Sequence, residues 1–193
     1  MTVSLEEIAR YMRMGRTVPD GALAARVSEL RDAALKAMRP SHTWRRFPLE
    51  ENAISSGAMR IAIGGTLARH LAGCSSAYLA CGTIGIGFDA FHRRVSANSG
   101  VDALIAQAIG AALIEKLMDS VEEEIRADLQ PGETLVSRYS PGYGDFPLAA
   151  QRELLALLDA TRKVGVALTG TLLMVPSKSV SAIIGARKEI TYR

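Results

Sequence analysis

The chain has 193 residues, with 23 Lys plus Arg against 20 Asp plus Glu, a formal net charge of +3 and 48% hydrophobic residues. That length suits a single domain spanning 1–193, able to bury roughly 70% of the surface its unfolded chain exposes, and the mixed charges contain no polybasic run of the kind that binds nucleic acid. No apolar stretch reaches the roughly 18 residues of a membrane span, and Met1 to Arg16 carries charges where a secretory signal needs an apolar run. The expectation is a cytoplasmic protein with neither a membrane nor a nucleic-acid partner.

In chain order, Ser4 with Glu7 forms a capping box and predicts a helix to about Met14, ending at Gly15. Asp20 starts a second helix, with Leu23, Val27, Leu30, Ala34 and Met38 at helical spacing until Pro40 stops it. These helices make up an N-terminal segment, 1–40, with an apolar stripe and no evident chemistry; 41–193 is the main body. Thr43 to Pro48 reads as a strand, with Trp44 as a packing or interface anchor. Met59 to Ile63 and Tyr78 to Ile84 read as further strands, with Gly64-Gly65, a short helix around Leu67 to Leu71 and a turn at Gly73 between them. Cys74 and Cys81, separated by six residues, have neither zinc nor CxxC spacing and read as buried thiols in a reducing compartment.

Gly85-Ile86-Gly87-Phe88-Asp89-Ala90 follows a strand, opens a helix and satisfies a G-x-G-x-x-A pattern. Two accounts fit: a phosphate cradle, as in a Rossmann-type methyltransferase, or a tight packing turn. Against the cradle, the best acidic candidate, Asp102, lies only 17 residues past Gly85 at a helix start, and no regular βαβ repeat follows. Ser99 to Asp128 is the longest helical pattern, with Val101, Leu104, Ile105, Ala108, Ala112, Leu117, Val121 and Ile125 on one broad face. Its small residues Gly110, Ala111 and Ala112 allow another element to approach closely. Glu115 sits at one edge of that face, solvated or functional, and Glu122-Glu123-Glu124 reads as an exposed acidic surface.

Pro131-Gly132 ends that helix, and Leu135-Val136 lead as a short strand into Arg138-Tyr139-Ser140-Pro141-Gly142-Tyr143-Gly144-Asp145. Pro141 sets φ near −65° and Gly142 accepts φ > 0, which favours a type II turn. Gly144 again allows close backbone approach. Arg138 offers a planar cation for a carboxylate or phosphate, Tyr143 a ring face and hydroxyl, and Asp145 an acceptor. A ligand with a carboxylate, a flat heterocycle and a positive centre fits this set. So does a plain surface turn whose Arg138 and Asp145 pair with each other. Pro147 and Leu148 then open a helix through Leu154, Leu155, Leu158 and Thr161, closed near Gly165. Val166 to Val175 and Ser179 to Ala186 read as an antiparallel pair joined by a polar tip at Pro176-Ser177-Lys178, completing an α+β fold with long helices packed on a mainly antiparallel, twisted sheet.

Arg-x-x-Pro-Gly-Tyr, then Gln151 and Leu154, Gly165, Leu168-Thr169 and Met174-x-Pro176-x-x-Ser179-Val180-Ser181, resembles the activation (reactivation) domain of cobalamin-dependent methionine synthase. The likeness is most specific from Glu133 to Gly185. Gly82-Thr83-Ile84-Gly85 and the helix around Glu115 are similar to the free-standing short forms of that domain. Where the large enzymes carry extra carboxylates on the long helix, this chain has Gly110-Ala111-Ala112.

The resemblance implies an S-adenosylmethionine site made of Arg138, Pro141, Gly142, Tyr143 and Gly144, with Asp145 and Glu115 as further polar contacts. It also implies reductive methylation of cob(II)alamin: one electron from a flavodoxin- or ferredoxin-like donor and a methyl group from S-adenosylmethionine restore methylcobalamin. No Asp-x-His-x-x-Gly segment supplies a lower cobalt ligand, and His42, His70 and His92 are scattered. The cobalamin is therefore expected on a partner, a methionine synthase or another corrinoid protein, with no metal and no acid or base catalyst on this chain. Two other classes stay open, a Rossmann-type S-adenosylmethionine-dependent methyltransferase and a non-catalytic corrinoid-protein assembly subunit.

Overall fold

The structure, a computed structural model, describes residues 1–15, 17–50 and 53–188. Helix α1 (Leu5–Tyr11) begins at the expected capping box: the Ser4 N–H donates to Glu7 Oε2 at 2.7 Å and the Glu7 N–H donates to Ser4 Oγ at 3.2 Å. Helix α2 (Gly21–Ala37) buries Val27, Leu30 and Ala34 along one stripe. Strand β1 (Ser41–Pro48) follows, then a hairpin of β2 (Ala53–Ser56) and β3 (Met59–Ala62), helix α3 (Gly65–His70) and strand β4 (Cys74–Thr83). Helices α4 (Ile86–Ser96) and α5 (Gly100–Ala127) come next, α5 capped by the Ser99 hydroxyl, which accepts the Asp102 N–H at 3.2 Å. Strand β5 (Glu133–Leu135) leads into the Arg138–Asp145 loop. Beyond it lie a 3₁₀ turn at Leu148–Ala150, helices α6 (Gln151–Leu158) and α7 (Ala160–Val164), and strands β6 (Ala167–Leu168), β7 (Met174–Val175) and β8 (Ser179–Lys188).

The main sheet has the order β1-β4-β8-β5, antiparallel at every pairing. Successive side chains of a strand point to opposite faces, and both faces of this sheet are covered. Tyr78, Ala80, Ile184 and Ala186 lie under Met118, Val121 and Ile125 of α5. Ala77, Leu79, Cys81 and Ile183 lie under Leu154, Leu157 and Leu158 of α6 and Ala160 and Val164 of α7. A third cluster unites Ile8 of α1, Val27 and Leu30 of α2, Phe88 of α4 and Ile105, Ile109 and Leu113 of α5. This is the α+β arrangement the sequence predicts, with long helices on an antiparallel sheet. Among the described residues no helix is long and apolar enough to cross a membrane.

Gly85 and Gly87 form a packing turn. Gly85 has φ +87°, and a Cβ there would come within 2.6 Å of the Arg39 carbonyl oxygen; a Cβ on Gly87 would meet the Ala37 carbonyl oxygen at 2.2 Å. The glycines let α4 start against the end of α2, with no room left for a phosphate, and the antiparallel sheet offers no Rossmann crevice. Asp102, the acid that pattern would have used, is held by Arg26 of α2 through Nε at 3.0 Å and Nη2 at 2.5 Å.

Four other expectations are corrected. Val166 to Val175 does not pair with β8: Thr169 N–H donates to the Leu173 carbonyl at 2.9 Å and Leu172 has φ +66°, so the segment folds back and β6 pairs with β7. Strand β8, buried over most of its length, takes a central place between β4 and β5. Pro176-Ser177-Lys178 is therefore no hairpin tip. The Ser177 N–H and hydroxyl donate to the Asp89 carboxylate at 2.9 and 2.6 Å, and the Lys178 chain crosses Gly110, where a Cβ would lie 2.8 Å from its Cε. Burial pushes the Lys178 ammonium below its usual range. The helix after the Arg138–Asp145 loop breaks at Asp159, which has φ +54° and separates α6 from α7. Finally, Val101 and Leu104 are 62% and 72% exposed. With Tyr11, Met12, Ala108 and Ala111 they border a hollow of about 540 Å³ beside the end of α1 and stay out of the core.

Candidate functional site

Arg138 is placed by the edge of the sheet. Past β5 the chain stays beside β8: Val136 N–H donates to the Gly185 carbonyl at 2.9 Å, and Tyr139 and Ile183 exchange N–H···O bonds at 2.9 and 2.8 Å. From Val136 to Tyr139 this edge advances three positions while β8 advances two, from Gly185 to Ile183, so the simple alternation is broken there: Val136 and Tyr139 both pack on the α6 side and Arg138 faces α5. There the guanidinium meets three carboxylates of α5: Nη2 lies 3.0 Å from Glu115 Oε2 and 3.0 Å from Asp119 Oδ1, and Nε lies 3.2 Å from Glu122 Oε1. Positions 115, 119 and 122 follow helical spacing and so share one face. Arg138 Nη1 is buried and has no hydrogen-bond partner.

The Pro141-Gly142 turn forms as its residues dictate. Tyr143 N–H donates to the Ser140 carbonyl at 3.3 Å and Gly142 has φ +93°, the left-handed position a type II turn needs at its third residue. The Gly142 N–H reaches across the loop to the Phe146 carbonyl at 2.9 Å, and Phe146, 5% exposed, anchors the loop in the α6 core. Gly144, with φ +55°, admits the Thr66 hydroxyl and the Tyr139 Oη, which a Cβ would meet at 2.6 and 2.8 Å. Tyr139 in turn donates to Thr66 Oγ1 at 2.7 Å and packs beside His70, ring centroids 4.8 Å apart.

The site residues sort into two groups. Glu115, Arg138 and Tyr143 come together with Tyr139, Ser140 and Val180 around a cavity of about 220 Å³, Tyr143 being 66% exposed. Pro141, Gly142 and Gly144 shape the loop that carries Ser140 and Tyr143 but do not themselves line the cavity. Asp145 turns the other way: its carboxylate accepts the Thr66 N–H at 2.8 Å and the Thr66 hydroxyl, which hold its pKa below the usual carboxylate value. Arg138 and Asp145 do not pair, so the plain-turn account of their charges fails. Beyond Asp145, Gly64, Gly65, Phe146 and Glu153 border a separate hollow of about 450 Å³.

Glu122-Glu123-Glu124 is not a uniform exposed surface. Glu123 and Glu124 are exposed as expected, their side chains at 76% and 49%, with Glu124 taking His42 Nε2 at 2.8 Å and Trp44 Nε1 at 3.3 Å, whereas the Glu122 side chain is 18% exposed on Arg138. Sequence reasoning passed over Asp119 and Glu122 as partners of Arg138, although acids at 115, 119 and 122 repeat at helical spacing. It also passed over Thr66, which only tertiary pairing brings to the loop. Among the described residues no group of His, Cys, Asp and Glu is arranged to hold a metal ion.

One cation surrounded by three carboxylates is a weak stability device, because partly solvated ion pairs contribute roughly 0–1 kcal/mol each, and Glu115 and Asp119 side chains are 42% and 62% exposed. Its excess negative charge next to an aromatic-edged cavity suits a cationic ligand better than an anionic one.

The fold and this loop define a class before any family is considered: an α+β domain with an antiparallel sheet and an arginine-led turn at its edge. The crystal structure of the MetH reactivation domain bound to AdoHcy has the same fold, with a TM-score of 0.58 at 16% identity over 100% of this chain and 79% of that one. The sequence matches the family described as vitamin B12 dependent methionine synthase, activation domain, over residues 72–193, and the chain belongs to that family. No curated protein matches it.

Proposed function

We propose that this protein binds S-adenosylmethionine at the Arg138 cavity. In our reading it serves as an activation subunit for a cobalamin-dependent methyltransferase, a methionine synthase or another corrinoid protein that carries the cobalamin. The observation that carries this reading is the cluster of one guanidinium and three carboxylates beside the Pro141-Gly142-Tyr143 turn. S-adenosylmethionine brings a sulfonium and an ammonium against one carboxylate, so its net positive charge complements the site's negative excess. Arg138 Nη1 is the donor left for the ligand carboxylate, and Glu115 and Asp119 are the acceptors for its ammonium. The Tyr143 and Tyr139 rings offer faces to the heterocycle or the sulfonium. Pro141, Gly142 and Gly144 shape the turn, and Asp145 holds it to Thr66. Membership of the family and the fold shared with a domain solved with AdoHcy bound support this assignment.

Cobalamin, when presented by the partner, supplies a cobalt that accepts the methyl group after one electron arrives from a flavodoxin- or ferredoxin-like donor; the spent ligand leaves as S-adenosylhomocysteine. The work of this chain is positional. It holds the sulfur and methyl carbon so that the acceptor can approach in line at roughly 3 to 3.5 Å. No proton moves in the transfer, so no acid or base is required of these residues. The setting is a reducing, cytoplasmic one in which Cys74 and Cys81 remain thiols.

Calorimetry with S-adenosylmethionine tests the reading directly. The parent should bind and Arg138→Ala should lose at least tenfold in affinity; equal binding by both would remove Arg138 from the site. Mixing the parent with a cob(II)alamin protein, a reductant and S-adenosylmethionine should then convert the corrin absorbance to that of the methylated form. Tight docking to the corrinoid protein without any ligand binding would instead favour the assembly-subunit reading. Methyl transfer to an acceptor with no corrinoid present would favour an ordinary methyltransferase.

A further inference from the structure

The family match starts at residue 72, yet a residue of the first helix borders a hollow that shares Glu115 with the Arg138 cavity. Helix α1 lies on α5, set by its Ser4–Glu7 capping box, by burial of Ile8 and by the small Ala112 opposite, with Glu7 Oε1 3.9 Å from Lys116 Nζ. Between the two helices is a hollow of about 120 Å³ whose lining includes Tyr11, Ala112, Glu115 and Asp119. Glu115 also lines the Arg138 cavity, so the two spaces adjoin along one carboxylate.

We propose that Tyr11 is a ligand-binding residue of this site, its phenol oxygen joining the Glu115 and Asp119 carboxylates as the third acceptor for the ligand's primary ammonium group. This rests on the S-adenosylmethionine reading above and deepens it. An –NH₃⁺ group has three donors; Arg138 occupies one direction of each carboxylate at 3.0 Å, the two carboxylates take two of the ammonium donors, and a third acceptor on the protein completes the set in place of a water. Tyr11, on the α1 side of the same hollow, is the neutral acceptor available. Of the hollow's other polar side chains, Arg10 and Lys116 are donors only, and the Glu7 carboxylate is already engaged, by the Ser4 N–H at 2.7 Å and by Lys116 Nζ at 3.9 Å. The phenol's titration agrees with this placement: burial first, and then the negative charges of Glu115 and Asp119, push it above its usual range. The N-terminal helix therefore contributes binding chemistry as well as core.

Calorimetry with two probes tests this: S-adenosylmethionine, and the analogue that lacks only the α-amino group. The parent should bind S-adenosylmethionine more tightly than the analogue. Tyr11→Phe, which keeps the ring and its packing, should weaken S-adenosylmethionine about 3- to 10-fold and leave the analogue unchanged. If the parent does not bind S-adenosylmethionine, the functional reading fails. If the parent binds and Tyr11→Phe binds both probes as the parent does, or weakens both equally, the assignment of Tyr11 is overturned while that reading stands. Should Tyr11→Phe lower the melting temperature, Tyr11→His, which restores a polar ring atom, supplies the second variant: partial recovery of the selective effect supports the proposal and its absence overturns it.

Discussion

Asp145 and Thr66, 79 positions apart, lock the Arg138–Asp145 loop to the start of α3: the Asp145 carboxylate accepts the Thr66 backbone N–H at 2.8 Å and the Thr66 hydroxyl. The contact depends on Gly65, whose φ is +53° and whose missing Cβ would lie 1.8 Å from Asp145 Oδ2. Gly65→Ala should therefore destabilise the protein by about 1–3 kcal/mol, the scale of a left-handed non-glycine residue, with the steric conflict added. Urea unfolding measures this. In an Asp145→Ala background the same substitution should cost less, because the clash has been removed, and a double-mutant cycle reads the difference. Equal costs in both backgrounds would show that the two residues do not interact.

The same carboxylate makes the loop acid-sensitive. The Thr66 hydroxyl first, and its backbone N–H second, hold the Asp145 pKa below the usual value. A depressed carboxylate contributes above its unfolded pKa of about 4 and loses that contribution as pH falls through the folded value. The Thr66 amide resonance, followed by NMR, should stay constant from neutral pH down to about 4 and shift only below it. In Asp145→Asn that acid transition should be missing. A shift centred above the ordinary carboxylate value would contradict the observed pairing.

Much of the architecture was legible because it is set locally. Ser99 and Asp128 bound α5 as the cap and the apolar period predict, and Pro40 closes the segment that α2 occupies. The turn at Pro141-Gly142 forms for the dihedral reasons its two residues supply. What was not legible depends on partners far away in sequence. Strand β8 is central because β4 and β5 flank it, and nothing within Ser179 to Lys188 says so. Arg138 meets Glu115, Asp119 and Glu122 only because the strand edge passes beneath α5. The acid stripe was available as a helical repeat, but reading Glu122-Glu123-Glu124 as a block of charge concealed it.

That stripe distinguishes neighbouring glutamates. Glu122 holds Arg138 Nε at 3.2 Å with its side chain 18% exposed, whereas Glu123 is 76% exposed on Arg126. Removing the Nε partner should let the guanidinium turn away from the cavity. Glu122→Ala is expected to weaken S-adenosylmethionine binding roughly 3- to 10-fold, the ~1 kcal/mol scale of a partly solvated charge-assisted contact. Glu123→Ala should leave it unchanged. Calorimetry on the two variants decides the matter, and identical affinities would mean that Glu122 does not position Arg138.

Helix α5 carries two kinds of leucine that a periodicity plot cannot separate. Leu113 is fully buried among Phe88, Ile109 and Ile114, while Leu104, nine positions earlier, is 72% exposed at the rim of the hollow beside Tyr11. Leu113→Ala removes buried methyl groups and leaves a void, so it should cost about 2–5 kcal/mol. Leu104→Lys places a solvated ammonium where a methyl group already faces water, and should change stability by no more than about 0.5 kcal/mol. Both are read from denaturant midpoints at constant slope. A loss above about 1 kcal/mol for Leu104→Lys would mean that the first turn of α5 is covered in solution, and the hollow at the end of α1 would then be filled.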